Sequence, residues 1–313
     1  MWPVHQLDVT NAFLHGSIDE TIYMRQPIGF EDTHHPDYVC KLKKAIYGLK
    51  QAPRQLFQTF SNFLKTLGFS PAKADSSLFT LHTNTSRLYL VIYVDDILIT
   101  GNDSSLLDMI ILQLNQKFDM KILGPAHSFL GIKISKDQNS YLLSQTQYVE
   151  SILTSANMST CKPLANPATA KPVNNNKAHG IPPDPKLYRQ LTGSLQYLTI
   201  TRPDIAFAVN QLCQHMHNPE SEHFVLLHRL LRYIKGTISF GLPILQGSME
   251  LHSYSDVDWA GDKETRRSTS GYCSFLGNTL ISWSVKKQHT VARSSTESEY
   301  RALASALVDI LWL

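Results

Sequence analysis

Cysteine is scarce in this chain of 313 residues, and the four that occur (Cys40, Cys161, Cys213, Cys273) form no CxxC pair. That scatter supplies neither a disulfide framework nor a zinc ribbon, so reduced thiols are expected. Also missing is a basic segment leading into an apolar core after Met1, and no apolar run is long enough to span a bilayer. The expectation is an intracellular protein, cytoplasmic or nuclear, neither secreted nor in a membrane. The sequons at Asn84 and Asn157 then carry no weight. A large excess of one charge sign is lacking too. The net charge of +3 permits a nucleic-acid partner without demanding one. The 42% hydrophobic content and the length suffice for two domains with ordinary cores.

One strongly apolar stretch does occur, and two charges interrupt it. Residues 88–94 are rich in β-branched and aromatic side chains, and residues 97–100 repeat the pattern up to Gly101. Each half reads as a buried strand. Between them stand Asp95 and Asp96. Adjacent carboxylates beside apolar strands are costly unless a cation or solvent compensates them. A charged turn is one reading, although the Gly or Asn usual in such a turn is missing. A divalent-cation site at a hairpin tip is the other, because hard cations prefer carboxylate oxygens.

In chain order, residues 4–9 read as a strand with Asp8 near its end, then a short helical or looped piece at 11–14 closed by Gly16. Asp8 either prepares that turn or presents a carboxylate to the hairpin tip. Residues 52–68 make the clearest helix, with Pro53 in the first turn, apolar residues from Leu56 to Leu67 on one stripe, and Gly68 at the end. Gln51 and Arg54 stand at its start, where backbone N–H groups and a basic side chain suit a phosphate or a templating nucleotide; plain polarity at a helix start is the alternative. A hairpin over 77–94, a helix capped by Asp103 or Ser104, a hairpin pairing 129–134 with 141–143, and a helix through Tyr148, Val149, Ile152 and Leu153 follow.

Six prolines between 161 and 186 predict an extended linker and a domain boundary. Beyond it lie three helices: one striped by Leu187, Tyr188, Leu191, Leu195 and Leu198, one starting at Pro203, and one capped by Asn218 with Pro219 first. Cys213, His215 and His217 alternate and so do not share a helix face; surface polarity is expected rather than a metal site. Strands at 251–259, 270–276 and 280–285 then lead into a helix from Ser294 or Ser295, with Tyr300, Leu303, Leu307, Ile310 and Leu311 as its buried stripe.

Tyr93-Val94-Asp95-Asp96 resembles the YxDD signature of reverse transcriptases. The segments DVTNAFLHGSIDETIYMRQPIGF (8–30), KLKKAIYGLKQAPR (41–54), YVDDILITG (93–101) and FLGIKI (129–134) are similar to successive blocks of copia-type retrotransposon reverse transcriptases. The resemblance implies an α+β fold: a polymerase palm of a small antiparallel sheet plus helices, thumb and connection helices, then a partial RNase H-like α/β domain. The implied boundaries are 1–160 for palm and start of thumb, 161–186 for the linker, 187–245 for the connection, and 246–313 for the RNase H-like part. Asp8 and Asp95 would hold two Mg²⁺ ions, with Mn²⁺ a substitute, and Asp96 would be a neighbouring catalytic carboxylate. Phe13 would lie under the incoming sugar and exclude a 2′-hydroxyl, and Gln51, Arg54 and Tyr93 would bind substrate. Implied partners are an RNA template, a DNA primer, an RNA–DNA hybrid and dNTPs.

In the last segment the resemblance to the opening of RNase H implies Asp256 and Glu299 as catalytic metal ligands. Spacing alone does not separate them from Asp258 and Glu297. Arg266, Arg267, Lys286, Lys287 and Arg293 form a basic flank suited to phosphate, or equally a solvated face. The family's fingers, a third acidic RNase H strand and the other polyprotein regions are expected to be missing. A second reading is therefore a catalytically inactive relic with at most residual nucleic-acid binding.

Overall fold

Alternating burial along short strands builds the first sheet. The computed structural model describes residues 2–18, 20–169 and 184–313, and the chain divides into two compact units, Trp2–Leu130 and Gly131–Leu313. The first holds β1 (Val4–Val9), β2 (Tyr23–Arg25), β3 (Val39–Lys41), β4 (Ser70–Pro71), β5 (Leu78–His82), β6 (Arg87–Tyr93), β7 (Asp96–Gly101), β8 (Met120–Pro125) and β9 (Ser128–Phe129). Six of these form an antiparallel sheet in the order β4-β5-β6-β7-β1-β8, while β2 and β3 pair as a separate ribbon. Leu7, Val9, Leu90, Ile92, Ile97 and Ile99 are buried in one cluster with α1 (Ala52–Thr66) and α2 (Ser104–Phe118). Phe60 and Phe118 stack between those helices with ring centres 3.9 Å apart. Each such side chain contributes about 1.5–3 kcal/mol of burial free energy. Pro53 opens α1 and Gly68, at φ +91°, follows its end; the Asp103 carboxylate caps α2 by accepting from the Leu106 amide at 3.0 Å.

The second unit begins with β10 (Ile132–Asp137) and β11 (Ser140–Ser144), a hairpin whose second strand also pairs with β12 (Gly241–Leu245). Between them in sequence lie α3 (Thr146–Ser155), α4 (Pro185–Leu198), a 3₁₀ turn at Pro203–Ile205 running into α5 (Ala206–Cys213), and α6 (Ser221–Gly236). These helices bury one cluster that includes Ile152, Leu153, Tyr188, Leu195, Leu227 and Ile234. The chain ends with a three-stranded antiparallel sheet, β13 (Leu251–Asp258), β14 (Thr269–Leu276) and β15 (Thr279–Lys287), packed against α7 (Ser295–Trp312). Among the described residues no helix is long and apolar enough to cross a membrane.

Four features differ from the sequence reading. α3 packs with α4 and α6, because its stripe of Val149, Ile152 and Leu153 belongs to their core; the two compact units divide at Leu130/Gly131. Part of the expected linker is fastened down. The Arg232 and Arg229 side chains donate to the carbonyls of Lys162 and Ala168 at 2.7 and 3.1 Å, so residues 161–169 run along α6. Residues 170–183 of that linker lie outside the described residues. The cap of α6 is Glu220, not Asn218: its carboxylate accepts from the His223 amide while its own amide donates to His223 Nδ1 at 2.9 Å. The His215 ring stacks on the capping His223 at 3.8 Å, so His215 is partly buried rather than part of a solvated polar face, while His217 is exposed. Burial, and for His215 the neighbouring His223, hold both imidazoles below the usual histidine range.

The fourth concerns α7. Its buried stripe is Ser298, Ala302 and Ala306, whereas Tyr300, Leu303, Leu307 and Leu311 are exposed. Small residues bring the helix close to the sheet, and Asp309 then reaches three hydroxyls, those of Ser274, Ser282 and Tyr272, at 2.7, 3.0 and 3.2 Å.

A second polar knot holds the helical cluster. Arg202, only 1% exposed, makes a two-pronged pair with Asp204 at 2.9 and 2.8 Å and donates to the Thr237 carbonyl and hydroxyl, each at 2.8 Å. Tyr233 adds its hydroxyl to the same carboxylate at 2.8 Å. Burial pushes the Asp204 carboxyl up, but Arg202 outweighs it and the group sits below the usual range. Removing the cation leaves acceptors buried without partners. Arg202→Ala is expected to cost about 3 kcal/mol of unfolding free energy, read by urea denaturation of the full chain. A change under about 0.5 kcal/mol, the scatter of ordinary surface substitutions, contradicts this role.

Candidate active site at a hairpin tip

β6 and β7 form a tight hairpin in which Tyr93 pairs with Asp96, leaving Val94 and Asp95 as the turn. Val94 takes φ +56°, a conformation usually left to glycine. A β-branched residue there stores about 1–3 kcal/mol of strain, tolerated only where neighbours fix the backbone. They do so here. β1 pairs with β7 so that Asp8 lies opposite Asp96, and the Val9 amide donates to the Asp95 carbonyl at 3.0 Å. On its other side Asp8 lies opposite Lys121 of β8. Directly paired residues share a face. One row across the sheet therefore carries Tyr93, Asp96, Asp8 and Lys121, on the face away from the buried Leu7, Ile97 and Ile92.

Three carboxylates thus gather at one hairpin. All three are half-buried, and among the described residues none of them has an ion-pair partner, Lys121 included. Burial first, then the charges of Asp95 and Asp8, push the Asp96 carboxyl above the usual aspartate range. Among the described residues no three His, Cys, Asp or Glu side chains already converge as a preformed metal cage. The donor chemistry nonetheless suits hard divalent cations: oxygen ligands only and mutual repulsion, with Lys121 beside Asp8 in the row but not ion-paired to it.

The other expected residues are placed as follows. Phe13 lies in the 3₁₀ turn Ala12–His15 just beyond Asp8, nearly buried, with the Tyr47 ring edge-on at 4.5 Å. Gln51 is the residue before α1 and makes no side-chain cap; Arg54, in the first turn, is exposed. Tyr93 is 57% exposed. Tyr47, Lys121 and the strained Val94 escaped the sequence reading. A valine preceding two aspartates carries no local sign of positive φ, and the position of Lys121 depends on strand pairing.

The second acidic group is not assembled. Asp258 accepts from the Thr269 amide, and Glu297 accepts from the Arg293 amide at 2.7 Å and pairs with Arg301. Those bonds distinguish them from Asp256 and Glu299, which are exposed and make no ion pair among the described residues. Ser253 and Ser274 bond to each other and Ser274 to Asp309 of α7, so strand alternation sets Asp256 on the opposite face of the sheet from α7, the helix that carries Glu299.

Residues 1–170 match the family model described as reverse transcriptase (RNA-dependent DNA polymerase). The chain belongs to the reverse transcriptase family. It is similar along its whole length to the retrovirus-related Pol polyprotein from transposon RE1 of Arabidopsis thaliana, at 48% identity, and 99% of it aligns with that from transposon TNT 1-94 of Nicotiana tabacum at 39%. It spans only 21% and 24% of those two polyproteins. The putative transposon Ty5-1 protein of Saccharomyces cerevisiae, 32% identical, is matched over all of its length by 97% of this chain. These relatives place this chain among copia-type retrotransposon Pol sequences.

In this chain the ionisation of Asp96 opposes folding. The folded pKa is raised, so the opposition is absent below the unfolded value, about pH 4, and grows as pH rises through the folded value. Asp96→Asn is expected to raise the thermal midpoint at pH 7, by no more than about 2 °C because a half-exposed charge is screened. The gain should vanish near the unfolded pKa. An equal gain at both pH values, or a loss at pH 7, contradicts the carboxylate cluster.

Proposed function

We propose that this chain carries the nucleotidyl-transfer centre of an RNA-directed DNA polymerase from a copia-type retrotransposon, its first unit serving as the palm. The observation that carries the reading is the register of Asp8 against Asp96 together with the bond from Val9 to Asp95. Asp8 and Asp95 would hold two divalent cations, Mg²⁺ or in substitution Mn²⁺, with Asp96 beside them. Such ions, when bound, lower the pKa of a primer 3′-hydroxyl and offset charge on the triphosphate. The chain's own residues do the rest. Paired strands hold the backbones of the two residues side by side from distant parts of the sequence, so binding would require side-chain rotation rather than strand movement. Phe13, braced by Tyr47, limits the space beside the sugar; Tyr93 supports the primer end; Gln51 and Arg54 offer an amide and a cation to triphosphate or template. RNA template, DNA primer, RNA–DNA hybrid and dNTPs are the partners this reading requires.

The order β13-β14-β15-α7, with Asp256 and Glu299, supports an RNase H-like assignment for the last segment. The separation of those two residues, together with the exposed apolar face of α7, favours a reading in which this chain alone does not cleave a hybrid.

Primer extension on an RNA template with Mg²⁺ tests the main reading. Incorporation is expected, with a loss of at least about a thousandfold in Asp95→Asn and in Asp8→Asn, since several kcal/mol of charge stabilisation disappear. Phe13→Ala should increase incorporation of ribonucleotides relative to deoxyribonucleotides. Absence of extension in every form supports the relic reading, and extension that survives Asp95→Asn removes the proposed centre.

A further inference from the structure

Away from the carboxylates, the first unit displays aromatic rings set among cations. In the β2–β3 ribbon Tyr23 pairs with Lys41 and Arg25 with Val39, so these four side chains share one face. All four are exposed, Tyr23 by 60%. The chain continues into residues 41–54, which hold five cations and no acid. All five are exposed, and none is in an ion pair among the described residues. Tyr47, also 60% exposed, projects from this segment with Phe13 behind it.

A lysine-rich run is ordinarily a solvated face, and one exposed tyrosine needs no explanation. Here the backbone fixes the groups. The Leu42 amide donates to the Ile22 carbonyl at 2.9 Å and the Ala45 amide to the Gly16 carbonyl at 3.1 Å, so the segment is anchored beside the turn that follows Asp8. Of the nearby acids, Glu31 accepts from the Gly29 amide and Asp32 from the amides of His34 and His35, while Glu20 and Asp37 are exposed. Among the described residues none of these four acids is in an ion pair with the cations, and the rings are held open to solvent.

We propose that the β2–β3 ribbon and the segment after it form a platform for single-stranded template, with Tyr23 and Tyr47 stacking on bases and Arg25, Lys41, Lys43 and Lys50 contacting phosphates. The proposal rests on the polymerase reading and names the surface along which template approaches the hairpin tip. Stacking accepts every base, and phosphate contacts carry no sequence, so binding is sequence-tolerant and salt-dependent. Paired bases hide their faces, so duplex is a poorer occupant.

The test is fluorescence anisotropy of the full chain with a short labelled single-stranded RNA, without metal, across a salt series. Tyr23→Ala combined with Tyr47→Ala is expected to weaken binding about ten- to a hundredfold, while the two Phe replacements retain it. Arg25→Gln, Lys41→Gln and Lys43→Gln together should reduce the slope of log affinity against log salt by about 2. Unchanged affinity and slope in both sets overturn the platform, as does preference for duplex RNA, or binding to phosphatidylserine vesicles without binding to RNA. Asp95→Asn keeps the two ideas apart. RNA binding that depends on the tyrosines, without primer extension in any form, removes the polymerase reading and leaves the platform. Asp95-dependent extension with RNA binding indifferent to these substitutions does the reverse.

Discussion

Repulsion among Asp8, Asp95 and Asp96, held in check by sheet hydrogen bonds, is the constraint on which the first unit depends. Left to themselves three carboxylates separate. They stay together because β1 is clamped between β7 and β8, and because its register is set by burial rather than by the acids. Leu7 opposes Ile97, both fully buried, one step from the Asp8–Asp96 pair. A slip of one residue would turn Asp8 into the core and Leu7 to solvent. The core thereby guarantees the site: the apolar face of the sheet fixes which acids meet on the other face.

The second unit uses polar chemistry differently. Arg202 with Asp204, and Asp309 with its three hydroxyls, are charges surrounded by partners, which fixes how helices pack. Among the described residues the carboxylates of the hairpin are in no ion pair. A satisfied charge specifies packing; an unsatisfied cluster in a polar, half-open place is fit to receive a cation.

Much of this was legible in the sequence where local pattern and burial agree. The strands around Asp95, the strand bearing Asp8, α1 with Pro53 and Gly68, and the cap at Asp103 follow from periodicity and end chemistry. What escaped depends on partners distant in the chain. The stripe on α7 was misjudged because large apolar residues usually mark the buried face. Ser298, Ala302 and Ala306 instead allow close approach and leave Tyr300 and Leu303 outside. Glu220 and His223 form a cap in residue types that do not advertise one. The proline-rich stretch after Cys161 is partly pinned by arginines of α6 that only the fold brings near. For the candidate site, the pairing of Asp8 with the hairpin came from the family resemblance and then from the register; spacing could not have given it.

The most direct test of the shared cation site is a Mn²⁺ titration of the full chain followed by electron paramagnetic resonance, with Asp8→Asn and Asp95→Asn alongside. The wild-type chain is expected to bind Mn²⁺, and either substitution alone, 87 residues apart in sequence, to weaken that binding by tenfold or more, a factor of ten being about 1.4 kcal/mol. Wild-type-like Mn²⁺ binding in both variants would contradict the shared site.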